Sequence, residues 1–133
     1  MTEQAPASGH WPVNPHAGEV AIALGGVDHP MRPSFEAAVA IEQQSGMSLL
    51  AIARQATLDK NLPLWLASIV VTAGIRAAGE ARDDVSLKHV NREKVQRLLF
   101  AGGIVNAVEP ISQFLIGALN GGGDEKKAKP AMN

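Results

Sequence analysis

The segment from Leu62 to Ile75 constrains the fold most, because it is almost continuously apolar. On a helix of this sequence, Ser68, Thr72 and Arg76 leave only one narrow polar line. Such a helix is either central to the fold or shared with a partner protein. A chain of 133 residues can bury one helix on all sides, which favours a core position. The apolar run is also shorter than the roughly 20 residues that span a bilayer, so we predict no membrane segment.

Composition narrows the class of protein. The chain has 12 basic and 13 acidic residues and no cysteine, which argues against strong electrostatic binding to nucleic acid and excludes disulfides and thiolate chemistry. Residues 1–6 have neither the basic start nor the apolar run of a secretory signal. We therefore predict a soluble, cytoplasmic, single-domain protein.

A β-hairpin is predicted near the N-terminus. Val20, Ile22 and Leu24 alternate with other residues at the period of a strand, and the glycines at positions 25 and 26 suit a tight turn. Residues 27–32 form the return strand, in which Pro30 belongs on an edge because it cannot donate to a ladder. A lone hairpin is marginally stable in water, so we expect it to pack on helices.

Everything after Pro33 is predicted to be helical. Helix boundaries are indicated by the caps Ser34, Gly46, Ser48, Asn61 with Pro63, Gly79 and Asn91. Residues 104–119 keep one helical phase through Pro110, so we expect one long helix with a proline kink. The predicted fold class is α+β and mainly α: an antiparallel hairpin (18–33) packed on a bundle of about four or five helices (34–119).

The two ends of the chain have a different composition from the middle. Residues 1–17 carry Pro6, Pro12, Pro15 and Gly9 without a period, and residues 120–133 are rich in glycine and lysine. We predict a flexible N-terminal arm, a single folded domain over residues 18–119 and a flexible polar tail. Neither end offers enough apolar surface to offset the entropy lost on ordering, so residues 18–119 are expected to fold alone.

The sequence predicts no catalytic site, no cofactor and no metal. His10, His16, His29 and His89 have no companion ligands at metal-site spacing, and no glycine pair is followed by a Walker lysine. A basic cluster lies at the start of the fourth helix and contains Lys88, His89, Arg92, Lys94 and Arg97. It also encloses Glu93, which favours a solvated helix face over a DNA-binding surface.

Glu42 is the polar residue that stands out. On a helical wheel it falls within the apolar arc of Phe35 and Val39, so its carboxylate either pairs with Arg32 or Arg54 or faces a binding surface. A position close to solvent at the helix end is the alternative. We expect Glu42 to serve binding or a specific ion pair.

Four helices carry apolar residues outside their core-facing arcs. These are Leu50, Trp65, Phe100 and Ile116. One such residue is ordinary, but four together indicate more apolar surface than one small core consumes. With Phe35 and Glu42 they are our candidate partner-binding residues.

Two strings of the sequence resemble a known family. One is Asn14-Pro15-His16-Ala17-Gly18-Glu19-Val20, followed by the hairpin. The other runs Met31-Arg32-Pro33-Ser34-Phe35-Glu36-Ala37-Ala38-Val39-Ala40-Ile41-Glu42, then Gly46 and Ser48-Leu49-Leu50, with Gly74-Ile75-Arg76-Ala77-Ala78-Gly79 ending the third helix. Over residues 14–79 the chain is similar to tail assembly chaperones of gene transfer agents and related siphophages, also catalogued as tail tube proteins of gene transfer agents.

The resemblance implies a binding protein and no enzyme. Tail assembly chaperones coat the long helical tape measure protein and recruit tail tube subunits, so these two proteins are the expected partners, and self-association stays open. A structural component of the tail tube is the alternative, although a tube subunit needs longer strands. A small DNA-binding regulator is the third reading and rests only on the basic cluster.

Overall fold

The computed structural model describes residues 11–122. It confirms the predicted α+β, mainly α fold, in which an antiparallel hairpin precedes six α-helices. The elements are β1 (Val20–Leu24), β2 (Val27–Met31), α1 (Phe35–Ser45), α2 (Leu49–Thr57), α3 (Leu64–Arg82), α4 (Val85–Lys88), α5 (Arg92–Gly102) and α6 (Val108–Leu119). Single 3₁₀ turns lie at Pro15–Ala17 and Ile104–Ala107.

The hairpin closes as the sequence predicts. Leu24 pairs with Val27 across Gly25 and Gly26, whose φ angles of 63° and 80° suit a tight turn that other residues rarely adopt. The backbone N–H of Arg32 donates to the carbonyl of Gly74 at 2.9 Å. This bond ties the end of the hairpin to the middle of α3.

The third helix is the centre of the fold. Twelve of its 19 residues are buried, and α1, α4, α5 and β2 pack around it, while α6 packs mainly on α2 and β1. By length and composition α3 could cross a membrane, and so could the bent pair of α5 and residues 104–119 taken as one span. In α3, however, 67% of the apolar window is buried inside the fold, which is the property of a core helix.

Helix starts depend on local side chains and follow the prediction. Three predicted helix starts have a side chain that accepts a hydrogen bond from the N–H three positions on; these are Ser34, Ser48 and Asn91. Asp84 caps the short α4 in the same way. Gly46 ends α1 with a φ of 72°. Helix α3 starts directly after Pro63.

Two helix predictions are wrong. The expected proline kink is absent, because Pro110 lies in the first turn of α6, where a helix needs no amide donor. A 3₁₀ turn precedes α6, and the two together bend by 109° from α5. Helix α3 runs three residues beyond Gly79 to Arg82, and the short α4 that follows was not predicted.

The predicted domain boundaries are also too narrow. Residues 11–17 are not a flexible arm: the Trp11 indole donates to Asp84 Oδ2 at 2.9 Å, and Ala17 is buried. At the other end, the buried Gly122 donates its N–H to Gly117 O at 2.8 Å and packs so close to Pro33 that a Cβ would overlap the proline carbonyl. The remainder of the predicted arm and tail (1–10 and 123–133) lies outside the described residues.

Candidate partner-binding surface

The five apolar candidates from the sequence are all exposed. Phe35 and Phe100 are 78% and 75% accessible, and Leu50, Trp65 and Ile116 are about half accessible. The core of residues 11–122 is complete without them. Four further exposed apolar side chains were not predicted, and these are Leu58, Val85, Val105 and Leu119.

Trp65 and Phe100 lie at one end of the α3–α5 pair. The Ser68 hydroxyl is within hydrogen-bonding distance of the Trp65 carbonyl (2.8 Å) and of Gln96 Oε1 (3.0 Å). Arg76, two turns further along α3, donates to the Val90 carbonyl just before α5. The helices are therefore antiparallel, and Trp65 and Phe100 each lie about one turn beyond the Ser68–Gln96 contact in the same direction.

Glu42 and Leu50 share the corner between α1 and α2. Glu42 Oε2 accepts a 2.8 Å hydrogen bond from the backbone N–H of Leu49, the first residue of α2. Of the alternatives that the sequence left open, the ion pair with Arg32 or Arg54 does not form: Glu42 is exposed near the end of α1 and caps the positive end of a helix. This bond needs only an acceptor at the right place, which the helical wheel of α1 alone does not reveal.

Phe35 and Ile116 come from segments that meet at Pro33. Gly117, next to Ile116, lies close enough that an added methyl would contact Pro33 Cγ at 3.6 Å, and Phe35 follows two residues after the proline. The six candidates therefore occupy three regions: the α1–α2 corner, the end of the α3–α5 pair, and the surroundings of Pro33.

A groove that the sequence did not reveal runs between α1 and α3. It consists of a 140 Å³ depression and an adjoining 580 Å³ cleft that share Glu36, Ala77 and Glu80. Its other lining residues are Arg32, Ser34, Ala37, Ala40, Gln44, Thr72, Ala73, Arg76 and Ala81. We call it the α1–α3 groove.

A second groove brings the two glycine pairs of the sequence together. Gly25 and Gly26 of the hairpin turn face Gly102 and Gly103 at the end of α5 across a volume of about 440 Å³. Its remaining lining residues are apolar apart from Asn106. Because no cationic side chain from residues 11–122 lines it, the described part of the chain offers this groove no group to neutralise a phosphate.

A buried carboxylate organises the start of the described chain. The Glu19 side chain is 1% accessible and accepts hydrogen bonds from Asn14 N (2.8 Å), Arg82 Nη2 (2.5 Å) and Arg32 Nη1 (3.3 Å). Arg82 Nη2 also donates to the Pro12 carbonyl at 2.8 Å. Sequence reasoning missed this role, although Gly18-Glu19 belongs to the string that carries the resemblance. The carboxylate is fully engaged, so its role is structural.

Ionisable groups elsewhere are mostly paired or dispersed. Within residues 11–122 no group of three or more His, Asp or Glu side chains could hold a metal ion. In the basic cluster, Lys88 bonds to Asp83 at 2.6 Å and Arg97 to Glu93 at 2.9 Å. The hydrogen bond from Lys88 lowers the pKa of the Asp83 carboxyl. These pairs compete with phosphate contacts and weaken the DNA-binding interpretation.

Comparison with protein-family models, curated proteins and solved structures finds no match to this chain in any of the three.

Proposed function

We propose that the protein is a phage-type tail assembly chaperone. In this role it acts in the cytoplasm of the producing cell, binds the long helical tape measure protein and helps to recruit tail tube subunits. It has no catalytic site of its own. The strings in residues 14–79 are the basis for naming this class of partner.

The observation that carries the proposal is the exposure of large apolar side chains around a core that is already complete. The aromatic side chains of Phe35, Trp65 and Phe100 are exposed to solvent and do not belong to the buried core. Aromatic side chains dominate the binding energy of protein interfaces. A holdase for a long helical partner needs apolar surface of this kind, spread over several places.

The alternative functions have less support. The sheet of the described residues has two strands of five residues each, which is little for a subunit that stacks into a tube through its strands. A DNA-binding regulator would need free cations in the basic cluster, where Lys88 and Arg97 are paired.

The proposal is tested by co-expression of the full chain with the tape measure protein, followed by capture at low and at high salt. Apolar contacts should resist salt, whereas phosphate contacts weaken steeply as salt rises. We expect capture to persist at high salt and to weaken about thirtyfold or more in Trp65→Ala or Phe100→Ala, as for truncation of an aromatic anchor worth about 2 kcal/mol.

Val85→Ala is the matched control, because Val85 is an exposed apolar residue that we do not assign to the surface. Each variant is first shown to melt like the wild type. No capture by folded wild-type protein would contradict the proposal. Retention of the chain in purified particles would indicate the tube component instead, and salt-sensitive retention of DNA would indicate the regulator.

A further inference from the structure

The α1–α3 groove is long enough to hold about two turns of another helix. The start of α1 lies beside the end of α3, since Ser34 and Glu36 share a lining with Glu80 and Ala81. Along α1 the groove extends from Glu36 to Gln44, about 12 Å or just over two helical turns. One end is closed, because Arg92 Nη1 donates to Gln44 Oε1 at 3.3 Å.

The floor of the groove consists of small side chains. Ala37, Ala40, Ala73 and Ala77 come from the two facing helices. Alanines let a third backbone approach closely and leave room for larger side chains of an incoming helix.

One polar atom in this floor has no partner among residues 11–122. Thr72 is 3% accessible and lines the groove, yet its hydroxyl forms no hydrogen bond with any described residue. A buried hydroxyl left unbonded costs roughly 1–3 kcal/mol. A polar group from an occupant of the groove would satisfy it.

The rim carries two carboxylates. The carboxylate of Glu36 on α1 and that of Glu80 on α3 form no ion pair within residues 11–122. Glu80 acts only from a distance, where its charge contributes to raising the pKa of Lys88 after the larger effect of the Asp83 hydrogen bond. Arg32 bonds to Glu19, and the Arg76 guanidinium, which keeps its positive charge, donates twice to the neutral Val90 carbonyl. Neither arginine therefore pairs with Glu36 or Glu80.

We infer that the α1–α3 groove binds a basic amphipathic helix of the partner, with small apolar residues on the floor and Lys or Arg over Glu36 and Glu80. The inference rests on the proposed function in taking the partner to be helical, and it adds the position and the charge of the contact. A second copy of this chain is the alternative occupant, which light scattering distinguishes.

The experiment uses the full chain and two synthetic helices that share one alanine and leucine face. One carries lysines beside that face and the other carries glutamates. Fluorescence anisotropy should show binding of the lysine helix and little binding of the glutamate helix. In the double variant Glu36→Gln, Glu80→Gln we expect affinity for the lysine helix to fall roughly three- to thirtyfold at low salt, with a smaller difference at high salt.

Control variants distinguish an effect of the groove on affinity from general effects of lost charge or of a larger side chain. Asp59→Asn with Glu109→Gln removes the same charge from exposed positions outside the groove and should leave affinity unchanged. Ala77→Met fills the floor and should weaken binding, whereas Ala51→Met on the exposed face of α2 should not. All variants are compared by thermal melting. If Ala77→Met fails to fold, the double variant Glu36→Gln, Glu80→Gln and its control decide whether the groove binds the lysine helix.

Equal affinity for the two helices, or no response to the groove variants, would overturn the inference. So would a dimer, detected by light scattering, that Ala77→Met dissociates, since the occupant would then be a second copy. If capture of the tape measure protein depends on Trp65 and Phe100 while the groove variants change nothing, this inference is wrong and the proposed function stands. A responsive groove without such capture defeats the proposed function alone.

Discussion

At the scale of single residues, Glu19 holds together parts of the chain that are far apart in sequence. Its carboxylate joins Asn14, Arg32 and Arg82. We expect Glu19→Gln to lower the free energy of unfolding by about 3 kcal/mol, because it leaves two guanidinium groups around a site that has lost its charge. Urea denaturation monitored by circular dichroism measures the change.

Glu93→Gln is the matched control for Glu19. It breaks an exposed pair, in which Arg97 and Glu93 are 77% and 71% accessible, and should cost less than about 0.5 kcal/mol. Similar losses in the two variants would show that burial adds nothing to the Glu19 network.

His29 should make stability depend on pH. Its ring lies 5.0 Å from that of Trp11 and Nδ1 donates to the Val27 carbonyl at 2.9 Å. Burial lowers its pKa below 6.5 and the charge of Lys94 acts in the same direction, while the Val27 bond and Asp28 oppose them. The unfolded chain therefore binds the proton more tightly, so this contribution to stability is present above pH 6.5 and lost as pH falls.

The test is the melting temperature measured between pH 7 and pH 5. Wild type should lose stability over this range, and His29→Gln should lose less of it, because a neutral donor replaces the titrating ring. Asp83 and Asp84 do not interfere, since their pKa values are lowered from 3.8. His89→Gln, at an exposed position, is the control; an unchanged slope in His29→Gln would assign the pH dependence to other groups.

At the scale of elements, the contact between α3 and α4 depends on a missing side chain. A Cβ at Gly79 would overlap the backbone of Leu87 and Lys88. We expect Gly79→Ala to cost about 2–4 kcal/mol, because backbone atoms cannot move aside as a flexible side chain can.

Gly102→Ala is the comparison for Gly79→Ala in a thermal melt. Position 102 is helical and nothing lies within 4 Å of an added Cβ. Alanine there should stabilise the protein by about 0.5 kcal/mol through helix propensity. Equal tolerance at both positions would mean that α4 does not pack on α3 as described.

At the scale of the whole molecule, the ordered region extends beyond the boundaries predicted from sequence. Residues 11–17 supply Trp11, the Pro12 carbonyl and the Asn14 amide to bonds with the core. A fragment of residues 18–119 should therefore melt roughly 10 °C or more below a fragment of residues 11–122, at about 1 kcal/mol per lost bond. Calorimetry of both fragments measures this difference. Equal melting temperatures would show that residues 18–119 are the complete folded domain.

The sequence by itself determined what depends on near neighbours. Three features involve only groups within a few positions of one another: the alternation of β1, the glycine turn, and the side-chain caps at Ser34, Ser48 and Asn91. The central position of α3 was also predictable, because the periodicity of its own residues makes it apolar around most of its circumference. The exposure of the apolar candidates was predictable too, because helical phase decides which side chains point away from a packed face.

Only the tertiary structure decided what depends on distant segments. Glu19 and Arg82 are 63 positions apart and Trp11 and Asp84 are 73 apart, so no periodicity links them. The use of Glu42 as a cap for α2, the passage of α4 over Gly79 and the α1–α3 groove likewise arise from how helices are placed against one another. The pattern along a chain specifies which face of an element is apolar, whereas packing decides which other element that face meets. The proposed α1–α3 binding groove depends on packing.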